Sequence, residues 1–388
     1  MAGWQQLLAG MASNVEAQFD QLKSRLGGLL GSDDPLVVVP YLGYGTPDQL
    51  IVRGRVLQEK KIRESMDNDT LWDNLLNAYR RFESDEVPFA RVRARFQGQT
   101  TEFVADDEGF FTARIVPGHS LEADRLWHQI ELELLEPLRE GHPPVHATGQ
   151  VLAPPPSAQF GVISDIDDTV VYSHATDLLR MARIVFLGNA RTRLPFPGVA
   201  SFYQALQGGA PGSAQNPLFF VSSSPWNLYD LLVEFFRLQE IPIGPLFLRD
   251  WGVSAAELLP TAHSGYKLGV IRHILELYPR LPFILIGDSG QEDPEIYRIV
   301  VDEYPGRILA IYIRDVSPDE RDEEVRRLAV EVAGARSSMV LAADTMAMAQ
   351  HAAAQGWIDP CLLPLIGEAV DRDQEAPTAG EALLEEPA

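Results

Sequence analysis

The sequence has one cysteine, Cys361, so no disulfide can close within the chain. Its eight histidines are scattered and give no Cys/His framework for a structural zinc, and a reducing compartment fits this usage. Basic residues are few beside acidic ones. The 32 Lys and Arg against 55 Asp and Glu leave a formal charge of −23, which repels polyanions and disfavours nonspecific nucleic-acid binding. No apolar run approaches the roughly 18 residues that cross a bilayer; the strongest, 218–221 and 283–286, are strand-sized. Residues 1–14 place no basic residue ahead of their apolar part, which Gln5, Gln6, Gly10 and Ser13 interrupt, so neither a secretory signal nor a lipidation motif is expected. P-loop and zinc-peptidase signatures are missing too. With 46% hydrophobic and 22% charged residues, general disorder is excluded. These absences predict a soluble, cytoplasmic chain whose membrane contact, where it has any, is peripheral.

What is present falls into four parts. Trp4, Leu8, Met11, Val15, Phe19, Leu22, Leu26 and Leu29 recur at spacings of three and four, predicting an amphipathic helix over 1–31. Its charges, Glu16, Asp20, Lys23 and Arg25, cancel, which favours packing or self-association over membrane contact and leaves both open. Residues 35–155 carry short alternating runs at 37–39, 50–57, 89–96, 100–105, 110–115 and 130–135, predicting an antiparallel β-sandwich. Residues 106–109 read as a hairpin turn and 70–82 as an inserted helix. Arg91, Arg93 and Arg95 share one strand face, read as solvated in preference to an anion-binding stripe. His142 and His146 are separated by prolines, so a surface loop is expected rather than a ligand pair.

After a proline-rich linker at 151–157, strands at 161–164, 218–221, 246–248, 283–286, 308–313 and 338–342 alternate with helical segments at 226–237, 266–278, 294–304 and 318–332. That pattern predicts an α/β domain over 159–360, a parallel sheet covered on both faces. From 368 to 388 acidic residues dominate, predicting a disordered tail.

In a doubly wound sheet, ligands bind beyond the carboxyl ends of the strands. Three apolar strands here end in polar groups: Ser164-Asp165-Ile166-Asp167-Asp168-Thr169, Val221-Ser222-Ser223-Ser224, and Ile286-Gly287-Asp288 followed by Asp293, with Lys267 in the helix before the last. This ordered set resembles the haloacid dehalogenase-like phosphatase superfamily. More closely, Ser164 to Thr169, Phe196-Pro197-Gly198, Val221 to Asp230, Leu248-Arg249-Asp250-Trp251-Gly252 and Ile286 to Tyr297 look like the catalytic domain of the actin-patch-type phosphatidate phosphatases, relatives of the lipins. The resemblance covers about 159–316. It implies a haloacid dehalogenase-like fold and phosphatidate as substrate, giving diacylglycerol and phosphate. Within these 388 residues no long proline-rich run matches the partner-binding extension of the yeast-type members, so actin-patch association is not expected from them.

The residues support the same chemistry by physical argument. A phosphate monoester dianion repels hydroxide, so two displacements through a covalent aspartyl phosphate lower each barrier. Asp165, at a strand end, is the expected nucleophile, and Asp167, two residues on, the proton donor and acceptor. Hard oxygen ligands from Asp165 and Asp288, with the backbone carbonyl of Asp167, suit Mg²⁺ better than zinc, with Asp293 in its second shell or acting through water. Ser222 and the amides after it, with Ser223 among the substrate contacts, are expected to donate to phosphoryl oxygens, and Lys267 to supply a fixed charge. Arg249 either contacts substrate phosphate or pairs with Asp250. Residues 172–197 leave room for a short apolar helix, 175–187, and for no large cap, so the site is expected to be open to a bulky substrate. Two other readings stand beside this one: a phosphatase for a soluble or protein-bound phosphomonoester, and a non-catalytic lipid- or protein-binding module.

Overall fold

The computed structural model describes residues 34–58, 85–139, 141–167, 169–170, 196–210, 214–249, 260–316, 319–334 and 337–375. The helices expected over 1–31, 70–82 and 175–187, together with Asp168 and Asp250, lie outside them.

The N-terminal half contains β1 (Leu36–Thr46), β2 (Gln49–Gln58), β3 (Asp85–Glu86), β4 (Arg91–Phe96), β5 (Gln99–Val104), β6 (Phe110–Ile115), β7 (Trp127–Glu136) and β8 (His146–Leu152). Their order is β3-β2-β1-β8-β7-β4-β5, with β6 also on β2. The expected antiparallel β-sandwich thus takes the form of one hydrogen-bonded sheet, and its β1–β8 pair is parallel. Val92, Ala94 and Ile130 from one end share a core with Leu50, Val52 and Ile115 from the other, so the sheet curls over its own apolar face. The turn at 106–109 forms, with Gly109 at φ 80°, but β5 and β6 part after it. β6 pairs with β2 instead, because Phe111, Ala113 and Ile115 then point into that core.

The arginine strand face is a ladder of ion pairs. Arg93 bonds Glu102 on β5 at 2.7 Å and Glu133 on β7 at 3.3 Å, and Arg95 bonds Glu133 at 2.8 Å. Arg91 reaches Glu102 and Glu136. Glu102 and Glu133 stand directly opposite Arg93 in register, where opposite charges attract across strands. The glutamates come from the polar positions of two other strands, so the face carries no surplus of positive charge for an anion.

The C-terminal half alternates β9 (Gly161–Asp165), α1 (Val199–Gly208), β10 (Leu218–Pro225), α2 (Tyr229–Leu238), β11 (Leu246–Arg249), α3 (Pro260–Leu277), β12 (Phe283–Asp288), α4 (Asp293–Glu303), β13 (Ile308–Arg314), α5 (Asp319–Gly334), β14 (Ser338–Ala342), α6 (Thr345–Ala354) and α7 (Leu363–Glu375). All its strand pairs are parallel, in the order β11-β10-β9-β12-β13-β14. Both faces are covered, which is why the strands read as near-continuous apolar runs. Val162, Phe220 and Ile286 pack with α1, α2, α6 and α7, while the alternate residues Ile163, Phe219 and Leu285 pack with α3, α4 and α5.

Helix α7 corrects the expected tail from 368: residues up to 375 are helical. Ile366, Ala369 and Val370, spaced three and one apart, form a buried stripe that the acidic composition hides. Burying Ile366 and Val370 contributes roughly 1.5–3 kcal/mol each. Asp373 accepts the Gly198 amide at 2.8 Å, and at Gly198, with φ 73°, a Cβ would meet Val370 at 2.5 Å. The domain therefore runs beyond 360 to the end of α7.

The two halves interlock. Tyr229 Oη accepts the Leu42 amide, Tyr278 donates to the Gly45 carbonyl at 3.0 Å, and Tyr41 stacks on Trp226 with ring centres 5.0 Å apart. Val39, Tyr41 and Leu42 belong to the same apolar cluster as Phe220 and Phe236.

Candidate active site

Strand order reverses between β9 and β12: the chain runs outward from β9 through β10 to β11, then returns to β12 and runs outward the other way. The crevice at such a reversal is where α/β sheets place ligands. Asp165 is the last residue of β9 and Asp288 the last of β12, on adjacent strands. Asp293 opens α4, where a carboxylate is favoured by the helix dipole.

These three side chains, 1%, 0% and 0% exposed, bring one oxygen each within 4.8 Å of one another. Gly287 makes this possible, since a Cβ there would stand 2.5 Å from Asp293 Oδ2. Asp293 Oδ2 accepts the Asp288 amide at 3.2 Å, and Asp288 Oδ1 accepts the Gln291 amide at 2.8 Å. Lys267, from α3, reaches in with its Nζ 3.1 Å from Asp165 Oδ1 and 2.7 Å from Asp293 Oδ1. Asp165 Oδ2 has no hydrogen-bond partner among the described residues.

Asp167 stands beside this group. Its Oδ2 accepts from Ser222 Oγ at 2.8 Å and Ser224 Oγ at 3.3 Å, while Ser222 Oγ also accepts the Ser224 amide at 2.9 Å. The Ser222 hydroxyl, expected to face phosphoryl oxygens, here orients Asp167. The Asp167 carbonyl receives Gln291 Nε2 at 3.4 Å. Ser223 is half-buried between the two serines, and Arg249 is buried at the carboxyl end of the sheet's edge strand β11.

Burial drives the electrostatics. It raises the Asp165 carboxyl well above the usual range, with the Lys267 ammonium opposing and Asp293, Asp167 and Asp288 adding to the rise. For Lys267, burial favours the neutral amine, but the carboxylates of Asp165 and Asp293 outweigh it and hold the ammonium above its ordinary value. Three buried carboxylates with one ammonium among them form a net-negative pocket, and a hard divalent cation is the natural complement of such an oxygen set.

The strand-end motifs now have a counterpart among known proteins. Residues 160–315 match the family model of the phosphatidate phosphatase APP1 catalytic domain. The resemblance to actin-patch-type phosphatidate phosphatases is borne out over that segment, and every residue of the cluster lies within it. The chain is 32% identical over 257 residues to phosphatidate phosphatase APP1 of Saccharomyces cerevisiae, covering 63% of this chain and 42% of the yeast protein. It is 30% identical over 161 residues to an uncharacterised protein of Schizosaccharomyces pombe, covering 41% of this chain and 26% of that one. The chain thus spans less than half the length of either relative. Among solved structures, a carbohydrate acetylesterase from Xanthomonas citri covers 75% of this chain and 74% of its own at 12% identity with a TM-score of 0.25, too loose a likeness to bear on the fold.

Within residues 160–315, the structure brings together Asp165, Asp167, Ser222, Lys267, Asp288 and Asp293. Gln291 and Ser224 were missed. Gln291 also meets Lys267 Nζ at 3.3 Å, so it joins the metal-type carboxylates to Asp167. The signal was its place three residues after Asp288, where a loop amide turns back to the strand-end carboxylate.

Proposed function

We propose that the chain is a Mg²⁺-dependent phosphomonoester hydrolase with a haloacid dehalogenase-like catalytic domain, acting on phosphatidate through an aspartyl-phosphate intermediate. The observation that carries this reading is the buried group Asp165, Asp288 and Asp293 with Lys267 inside it, at the reversal point of a parallel sheet and within the segment matched to the APP1 catalytic domain. The name of the yeast relative supports the lipid substrate.

In this mechanism an Asp165 oxygen attacks phosphorus, and the bond to the glycerol oxygen breaks. Asp167 gives its proton to that departing oxygen. Water then attacks phosphorus of the acyl phosphate, Asp167 takes its proton, and phosphate leaves with Asp165 restored. Ser222 and Ser224 hold the Asp167 carboxyl in place for both transfers. Lys267 stabilises charge on the transferring group and keeps Asp293 fixed. Asp165, Asp288 and the Asp167 carbonyl would hold Mg²⁺, with Asp293 fixing its surroundings; when bound it supplies the positive charge that keeps Asp165 ionised and neutralises phosphoryl oxygens.

Phosphate release from dispersed phosphatidate tests the reading, with Mg²⁺ or EDTA, for the wild type and Asp165→Asn, beside a soluble aryl phosphate. Metal-dependent release that falls by about 10⁴-fold or more in the variant supports it. Release only from the soluble ester moves the substrate to a water-soluble phosphomonoester, and release from neither overturns the enzymatic reading.

A further inference from the structure

Between the two halves lies a cavity of about 650 Å³, within the roughly 300–1,000 Å³ typical of small-molecule sites. None of Asp165, Asp167, Asp288, Asp293 or Lys267 lines it, so it is distinct from the catalytic group. Its wall is aromatic, formed by Tyr41, Tyr44 and Phe110 of the curled sheet and Trp226, Phe247 and Tyr266 of the α/β domain.

Arg53 lines this cavity and is 9% exposed. Its guanidinium lies 5.0 Å from the Tyr44 ring centre, 5.3 Å from Trp226 and 4.8 Å from Phe247. Nη2 donates to the Leu42 carbonyl at 3.2 Å and the Leu246 carbonyl at 3.0 Å, tying the two halves together. Both bonds use Nη2: buried Nε has no hydrogen-bond partner, and among the described residues no carboxylate forms an ion pair with the guanidinium. Aromatic faces offset part of the cost of a buried cation, about 0.5–2 kcal/mol each, while leaving it without a counter-ion. Among the described residues the wall carries one carboxylate, exposed Asp106, whose Oδ1 accepts the Glu108 and Phe110 amides.

The second observation is on α3. Gly265 and Gly269, one turn apart, both line the cavity, and a Cβ at either would meet no atom within 4 Å. Glycine in a helix costs roughly 1 kcal/mol relative to alanine. No described neighbour requires these two, and both stand exposed on the side of α3 that lines the cavity.

We propose that this cavity binds a single-chain amphiphilic anion, its acidic head on Arg53 and its chain along the aromatic wall and the glycine face of α3. The proposal concerns a site apart from the phosphatase reading and is tested without turnover. The full chain is titrated with a dansyl-labelled undecanoate, which is then displaced by dodecanoate, dodecyl phosphate or dodecanol below their micelle concentrations. Saturable one-to-one binding is expected, with dodecanol displacing the probe at least tenfold less well than the better anion. Whichever of dodecanoate and dodecyl phosphate displaces it more tightly identifies the head as a fatty carboxylate or a lipid phosphate. Gly269→Phe, and independently Gly265→Leu, should weaken binding at least tenfold while thermal melting is not lowered. Arg53→Gln should bring the anions down toward dodecanol. Lack of saturable binding, equal displacement by dodecanol, or binding unaltered in both glycine variants overturns the proposal.

Discussion

The arginine ladder of the curled sheet and the lysine of the candidate site show two ways for this acidic chain to place positive charge. On the sheet, three arginines interleave with Glu102, Glu133 and Glu136, and both partners stay wet: the Arg93 side chain is 27% exposed and that of Glu102 42%. At the sheet reversal, Lys267 is 5% exposed and stands among three carboxylates that are almost wholly buried. Exposed pairs of the first kind rarely contribute much, because water screens them. A buried cluster with more carboxylate than ammonium is costly and is expected where a cation and a charged substrate complete it. The difference teaches that the position of a charge relative to a strand end, rather than the number of arginines on a face, marks the candidate catalytic group in this molecule.

The largest test of that contrast is the loss of each cation. Lys267→Met should destabilise the metal-free protein by about 3–5 kcal/mol in urea unfolding, since it leaves buried carboxylates without their ammonium. Arg93→Met should change the midpoint far less, and equal effects would break the comparison. Next in size is the response to metal. Mg²⁺ at about 100 times its dissociation constant should stabilise the wild type by about 2.7 kcal/mol, reversibly with EDTA. Asp288→Asn should abolish this response while Arg93→Met keeps it, and a response retained by the Asp288 variant would place the cation elsewhere.

The Asp167 hydrogen bonds give a smaller and more local effect. A hydrogen bond of this kind is worth about 0.5–1.5 kcal/mol, so Ser222→Ala should slow phosphate release roughly 2- to 10-fold. Ser224→Ala, which removes the longer 3.3 Å contact, should slow it less. Initial rates for both at saturating substrate would show the order, and a larger loss for Ser224 would reverse the assigned roles.

Much of the site was legible because its residues sit at the ends of apolar runs. Ile163-Ser164-Asp165 and Ile286-Gly287-Asp288 each announce a buried strand followed by a carboxylate, and strand order does the rest. The Gln291 side-chain bond to the Asp167 carbonyl was not legible, since it depends on a loop closing across from β12. The curled sheet was harder. Its strands were visible by alternation, but the β1–β8 parallel pair and the shift of β6 to β2 are tertiary choices, made by which apolar faces can share one core. β8, with buried positions only at Gly149, Val151 and Leu152, offered too short a pattern and was taken in part for linker. Helix α7 was hidden by composition: Glu368 and Asp371, beside buried Ile366 and Val370, are exposed, and Asp373 turns inward to Gly198.

The smallest expected effect tests the ladder itself. The hydrogen bond from Arg93 holds the Glu102 carboxyl below its ordinary value, with the charges of Arg93 and Arg91 adding. A carboxyl lowered in the folded state stabilises at pH values above its unfolded titration, near 4.3, and that contribution is lost as pH falls through the lower folded value. The folded protein binds fewer protons than the unfolded chain in that window, so stability rises with pH across it. Glu102→Gln should flatten this acid limb slightly and leave the melting temperature near neutral pH almost unchanged. Raised salt should shrink even that difference, because both partners are exposed and screened. Melting curves between pH 3 and 6 at low and high salt would show it. A large, salt-insensitive loss for Glu102→Gln would mean that the ladder is held as tightly as the buried cluster, and the contrast between the two regions would fail.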